Sequence, residues 1–306
     1  MKKHWIRICA VALVLCCIFA AVTGCAGSAE AEAKPKTVVR EKKQPREGLQ
    51  TILVFCVDEA DTPQDKTAYR NGKTVDLLMV MVMDTVAGET RALQINPDTL
   101  ISYTLQGTKE ALQLPLGQVY SYGSGGSDSG QAQMKEVSRF LGGLPMDHYL
   151  TFSMDAVAVV NDYIGCVELP MPEGLETVFP EVQAGAQYHL AGQEVMDFLR
   201  YRGTKDVSNE EKMLRQRKYM MEMLPTLFEK AKDEDFLTKL TVKLGEGMAT
   251  DLTLSQMVQV LDLMAGFELD TNVVTIPGEG SLEDGAYHFT PDADAMNEIL
   301  DELFCE

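Results

Sequence analysis

The stretch T-I-L-V-F-C-V, Thr51 to Val57, is an unbroken apolar run rich in β-branched side chains, and Asp58 ends it. A run this short, without alternation, fits a strand buried on both faces. The pattern recurs in Leu77 to Met83, just after Asp76, and in Thr90 to Ile95, which stops at Asn96-Pro97-Asp98. Three such strands need cover on both sides. The chain therefore reads as α/β: a single domain, residues 49–306, with a central, largely buried sheet and helices on both faces. Apolar periodicity places helices at Gln131 to Leu141, at Asp155 to Tyr163 (stopped by Gly165) and at Gln193 to Leu199. A longer one runs from Asn209 to about Ala231, kinked at Pro225. Thr253 to Leu263 and Pro291 to Phe304 complete the helices. Short strands are expected at His148 to Ser153, Cys166 to Leu169 and Val273 to Ile276. Gly123 to Gly130 (G-S-G-G-S-D-S-G) reads as a flexible loop, not a phosphate loop, since no G-K-[ST] follows. On the long helix, Met213, Met220, Met221, Leu224 and Phe228 read as a core stripe.

The 306 residues hold 27 basic and 46 acidic side chains, a formal charge of −19. A body this acidic repels nucleic acid and excludes it as a partner. Lys2, Lys3 and Arg7 form a positive N-terminal region, followed by the apolar run Ile8 to Val22 and by Val22-Thr23-Gly24-Cys25. The run is short for a spanning helix, which needs about 20 residues. Its end is similar to a bacterial lipobox, with residues 1–24 as a signal peptide and Cys25 as the lipidated residue; an uncleaved anchor is the alternative. Either way the rest would stand at the outer face of the cytoplasmic membrane. Residues 25–48 are poor in large apolar side chains and read as a flexible tether. Cys56, Cys166 and Cys305 remain in the domain, too far apart for a disulfide framework or zinc spacing, and the first and second read as buried.

Charge of interest gathers in R-Y-R-G-T-K-D-V-S-N-E-E-K-M-L-R-Q-R, Arg200 to Arg217. Ser208 and Glu211 form a capping box, which makes Ser208 the expected N-cap. Asn209, Lys212 and Gln216 then share a helix face, with Arg215 beside it. Arginine forks and a helix N-terminus together suit an anion such as phosphate. A solvated basic helix start is the other reading. Asp58 and Asp76, at strand boundaries, suit Mg²⁺ at a crevice where loops gather, although strand-end aspartates also cap turns.

In order, Val57-Asp58, Thr74 to Val80, Leu93 to Thr99, Tyr120 to Gly123, Leu141 to Tyr149, Val160 to Val167, Leu190 to Arg202 and Leu214 to Gln216 resemble the motifs of the LytR-CpsA-Psr family of cell-envelope enzymes. The resemblance spans about residues 49–304. It implies transfer of a polyprenyl-pyrophosphate-linked glycopolymer to peptidoglycan through a phosphodiester. It implies Asp58 and Asp76 near the pyrophosphate and Mg²⁺, Arg200 and Arg202 on the phosphates, and Asp98, Lys212, Arg215 and Gln216 in the binding site. A long apolar pocket between sheet and helices would take the polyprenyl tail. The chain departs from the family in three places: Pro97 stands where an arginine is usual, and Asn209 and Lys212 replace an aspartate and an arginine. Lys73 and Lys205 are candidates to restore the charge. These departures keep open a non-catalytic polyprenyl-phosphate-binding lipoprotein and a structural or adaptor surface lipoprotein.

Overall fold

A computed structural model describes residues 44–59, 71–105, 111–203, 206–230, 233–245, 247–253, 271–283 and 285–305, with a few single positions between. Residues 1–43, and with them Cys25, the signal and most of the tether, lie outside the described residues, as do Lys205 and much of the expected 253–263 helix. Among the described residues no helix is long and apolar enough to cross a membrane.

The three apolar runs are strands: β1 (Leu49–Glu59), β2 (Lys73–Asp84) and β3 (Glu89–Ile95). They form the middle of a six-stranded sheet with β6 (His148–Ser153), β9 (Met248–Thr250) and β10 (Val273–Thr275), in the order β10-β3-β2-β1-β6-β9. The sheet is mixed: β1 is antiparallel to β2 and parallel to β6. Alternate residues of β1 feed two cores, as a pleated strand dictates. Ile52, Val54 and Cys56 belong to one, Leu53, Phe55 and Val57 to the other. The first core is closed by α2 (Met154–Ile164), α3 (Gln193–Arg200), α4 (Glu210–Lys230) and α5 (Glu234–Leu244). The second is closed by α1 (Gly126–Phe140), α6 (Ala293–Phe304), a 3₁₀ turn at Leu116–Tyr122 and the hairpin of β4 (Leu100–Thr104) and β5 (Ala111–Pro115). The expected α/β sheet with helices on both faces is what the chain forms. Two further hairpins lie outside the main sheet: β7 (Val167–Pro170) with β8 (Gln187–Leu190), and β11 (Gly278–Glu283) with β12 (Ala286–Pro291).

Several local expectations need correction. The Gly/Ser stretch is half helix, because α1 begins at Gly126. Asp128 in its first turn holds the preceding loop, accepting from Ser124 N at 2.7 Å and Ser124 Oγ at 2.9 Å. Gly130 is then needed for closeness: a Cβ there would lie 2.5 Å from the Tyr149 ring. On α4, Met221 is 41% exposed, and the stripe runs instead through Met213, Met220, Met223, Leu224 and Leu227; the Phe228 side chain is outside the description. Cys166 is half-buried at φ 67°, in the turn after Gly165 caps α2.

Candidate active site

The β1–β2 ladder contains one irregularity, and it sets the site. Cys56 faces Leu77, but the next residue, Val57, faces Val75, so Asp76 is an extra residue in β2. A bulge of this kind re-aims a side chain. Strict alternation would send Asp76 to the face opposite Leu77. The bulge instead turns it to the face of Cys56 and Asp58, where α3 and α4 pack. There Asp76 Oδ1 accepts from Lys212 Nζ, and Oδ2 accepts from Gln216 Nε2 at 2.9 Å. Asp58 accepts from both Nε and Nη2 of Arg200, a bidentate fork. Arg200 also lies 3.6 Å from Asp155 Oδ1 at the start of α2. Its pKa is raised above the ordinary value, first by the hydrogen bond to Asp58. Arg202, leaving α3, donates to Asp98 in the turn after β3.

Thus Asp58, Asp76, Asp98, Arg200, Arg202 and Lys212, spread over most of the chain, form three carboxylate–cation pairs, with Gln216 on the second oxygen of Asp76. Lys212 and Gln216 together do to Asp76 what a single arginine fork would do: the ammonium takes one oxygen and the amide the other. Arg215 does not join them. Its guanidinium donates to the carbonyls of Phe198 (3.1 Å) and Tyr201, tying α4 to the end of α3. Burial lowers its pKa. In this position it braces α4 against the end of α3. Lys73 faces Glu59 at 4.0 Å.

The cap of α4 also differs from expectation. Asp206 Oδ2 accepts from Lys212 N at 2.9 Å, whereas Glu210 N reaches Ser208 Oγ only at 3.4 Å. Asn209 stands between them at φ 68°, a left-handed conformation that asparagine tolerates. Its amide reaches Asn96 Oδ1 at 3.5 Å. Pro97 is buried and accepts from Gly117 N at 2.7 Å, so it packs against the 3₁₀ turn. Asn96 thus lies between the two departures, next to Pro97 in sequence and within reach of Asn209.

Arg217 was not anticipated. It is 6% exposed and donates from Nη1 to Gln94 Oε1 at 3.0 Å and Thr275 Oγ1 at 3.3 Å. No carboxylate pairs with it among the described residues. Burial lowers its pKa to about 10. A base that binds its proton more weakly when folded opposes folding at every pH below the folded pKa, and the penalty fades only as pH rises above that value toward the ordinary arginine range. Arg217→Met is accordingly expected to raise stability at pH 7 by about 1–4 kcal/mol, read from the urea midpoint; a fall would show that its two hydrogen bonds outweigh its desolvation.

The hairpin β11–β12 walls the site and was also missed. Tyr287 lies under Arg202, 3.8 Å from Cζ to the ring centroid. Gly280 passes so close to α4's entry that a Cβ there would sit 2.2 Å from Val207 O. That neighbour is backbone and cannot rotate away. Gly280→Ala is expected to cost about 1–3 kcal/mol, measured by chemical denaturation; an unchanged midpoint would contradict the packing.

Among the described residues no three His, Cys, Asp or Glu side chains converge as a metal cage. Asp58 and Asp76 still fit Mg²⁺ in one respect: they offer oxygen donors from one sheet face, and this ion commonly takes one or two carboxylates and completes its shell with water and phosphate oxygens.

The sequence matches the LytR_cpsA_psr family over residues 19–304. It is 24% identical over 256 residues to the Bacillus mycoides polyisoprenyl-teichoic acid–peptidoglycan teichoic acid transferase TagU, covering 83% of this chain and 77% of that one. Bacillus subtilis TagV, a transferase of the same description, is 22% identical over 275 residues, covering 87% of this chain and 66% of that one. Among solved structures, Bacillus subtilis TagV superposes with a TM-score of 0.59 at 20% identity, covering 85% of this chain and 97% of the other. TagT bound to LIIa-WTA superposes at 0.57 with 18% identity, covering 90% and 98%. The structural likeness shows a shared fold, and the match across nearly the whole chain settles the lineage: this chain belongs to the LytR_cpsA_psr family.

Proposed function

We propose that the chain transfers a glycopolymer from a polyprenyl-pyrophosphate carrier to a peptidoglycan hydroxyl, from the outer face of the cytoplasmic membrane, held there by a lipid on Cys25. The observation that carries this reading is the bulge at Asp76, which sets two carboxylates on one sheet face against Arg200, Lys212 and Gln216. The names of the relatives support cell-wall glycopolymer transfer as the class of reaction. The N-terminal sequence supports the membrane position.

Phosphoryl transfer asks a protein for charge neutralisation and in-line placement more than for covalent help. In the transfer, the acceptor oxygen bonds to the phosphorus next to the glycan. The bond from that phosphorus to the bridging oxygen breaks, polyprenyl phosphate leaves, and the hydroxyl proton is released. Asp58 and Asp76 would hold Mg²⁺, which would neutralise charge on the pyrophosphate. Arg200 would exchange Asp58 for phosphate oxygens, and Arg202 would add a phosphate oxygen while keeping Asp98. Gln216 and Lys212 would keep Asp76 in place. The internal ion pairs shape the ligand requirement. Arg200 faces a carboxylate, so an anionic ligand competes with Asp58 unless the metal draws carboxylate charge away.

The test is transfer of a polyprenyl-pyrophosphate glycan to peptidoglycan by purified protein with Mg²⁺. Binding without turnover would favour a lipid-binding protein on this fold, and absence of binding a structural lipoprotein.

A further inference from the structure

The hairpin β11–β12 touches both members of the Arg202–Asp98 pair. Phe289 N donates to Asp98 O at 3.0 Å, and Phe289 also bridges Thr99, which fixes the turn that carries Asp98. Tyr287 lies flat against Arg202, with Cζ 3.8 Å from the ring centroid, and its hydroxyl donates to Gly203 O at 3.4 Å. Arg202 spends Nη2 on Asp98, while its Nε is buried with no acceptor. An unused guanidinium donor is costly to bury, and a ligand that takes it would offset that cost.

We propose that Tyr287 is a positioning residue for the pyrophosphate: its ring fixes the plane of Arg202, so that Nη2 stays on Asp98 and Nε is held for a phosphate oxygen. This rests on the function proposed above. A guanidinium has five donors in one plane, so the plane decides which edge meets the ligand. Side-chain entropy would otherwise spread an arginine over many rotamers. The ring removes that freedom in advance and holds the fork by a cation–π contact.

The experiment compares wild type, Tyr287→Phe and Tyr287→Leu as full, folded chains with matched circular dichroism. Two measurements are made: binding of geranylgeranyl pyrophosphate with Mg²⁺, and the proton resonance of Arg202 Nε–H in the free protein. A ring face shifts that resonance upfield. Wild type and Tyr287→Phe are expected to show the shift and to bind alike. Tyr287→Leu is expected to lose the shift and to bind about five- to thirtyfold more weakly. Equal binding by Tyr287→Leu overturns the proposal. So does a loss in Tyr287→Phe as large as in Tyr287→Leu, which would assign the effect to the hydroxyl bond to Gly203. A wild-type chain without the shift overturns the stack itself. A wild-type chain that binds no pyrophosphate overturns the proposed function, and this role with it, whatever its resonance.

Discussion

Asp76→Ala is expected to destabilise the protein by about 3–5 kcal/mol and to stop transfer. The reason lies in its partner. The Lys212 side chain is 7% exposed and its ammonium is on Asp76 Oδ1. Removing the carboxylate leaves a buried charge with nothing to balance it, which costs far more than the pair contributes. Gln216 Nε2 loses its 2.9 Å acceptor in the same step. The two effects separate in a double variant. Asp76→Asn with Lys212→Gln removes both charges together, so most of the stability should return while transfer stays absent. Urea midpoints and a transfer assay read the two quantities. An Asp76→Ala protein that unfolds at the wild-type midpoint would show that the pair does not form.

Arg200→Ala should behave in the opposite way. Its side chain is 34% exposed, and a partly solvated pair contributes only about 0–1 kcal/mol, so the midpoint should hardly move. Transfer should nevertheless fall by about 10²–10³, the loss usual when one preorganised charge contact is removed. Arg200→Lys should restore little of it, since an ammonium cannot reproduce the fork on Asp58 or on a phosphate. The contrast is the informative part. With these outcomes Asp76 would join stability to function through Lys212, whereas Arg200 would serve the ligand and little else. A large stability loss in Arg200→Ala with normal transfer would reverse the two roles.

The central strands were legible because Thr51–Val57 and Leu77–Met83 are almost wholly apolar, and little besides a doubly covered sheet accounts for the two together; Thr90–Ile95, interrupted by Arg91 and Gln94, is the weaker signal of the three. The helix starts were less legible. Glycine in Gly126–Gly130 argues for a loop, and the contact of Gly130 with the Tyr149 ring that overrides it is tertiary. The site divides the same way. Residue types and order pointed to Asp58, Asp76, Arg200 and Arg202, but not to which acid meets which base. That depends on one inserted residue at Asp76, and V-D-L-L-M-V carries no mark of a bulge. Tyr287 was invisible for a different reason. It sits in G-S-L-E-D-G-A-Y-H-F, which has no strong alternation, and it reaches Arg202 only because Gly280 lets the hairpin press against Val207 and Ser208.

The departures at 97, 209 and 212 read differently once placed. Pro97 faces Gly117, and Asn209 reaches Asn96 at 3.5 Å, while Asp206 beside them accepts from Lys212 N. Lys212 keeps its partner through a point charge, with Gln216 on the second oxygen. The remaining matched pairs gather where Asp58 and Asp76 meet α3 and α4.

The most direct test of the proposed function is transfer itself, measured with purified wild type, Arg200→Ala and the Asp76→Asn, Lys212→Gln double variant. Each is incubated with Mg²⁺, a polyprenyl-pyrophosphate glycan and peptidoglycan, and the phosphodiester product is quantified. The account predicts product from wild type and, from either variant, at least about a hundredfold less. Wild-type protein that binds the carrier but forms no phosphodiester, or variants that form it at the wild-type rate, would contradict the account.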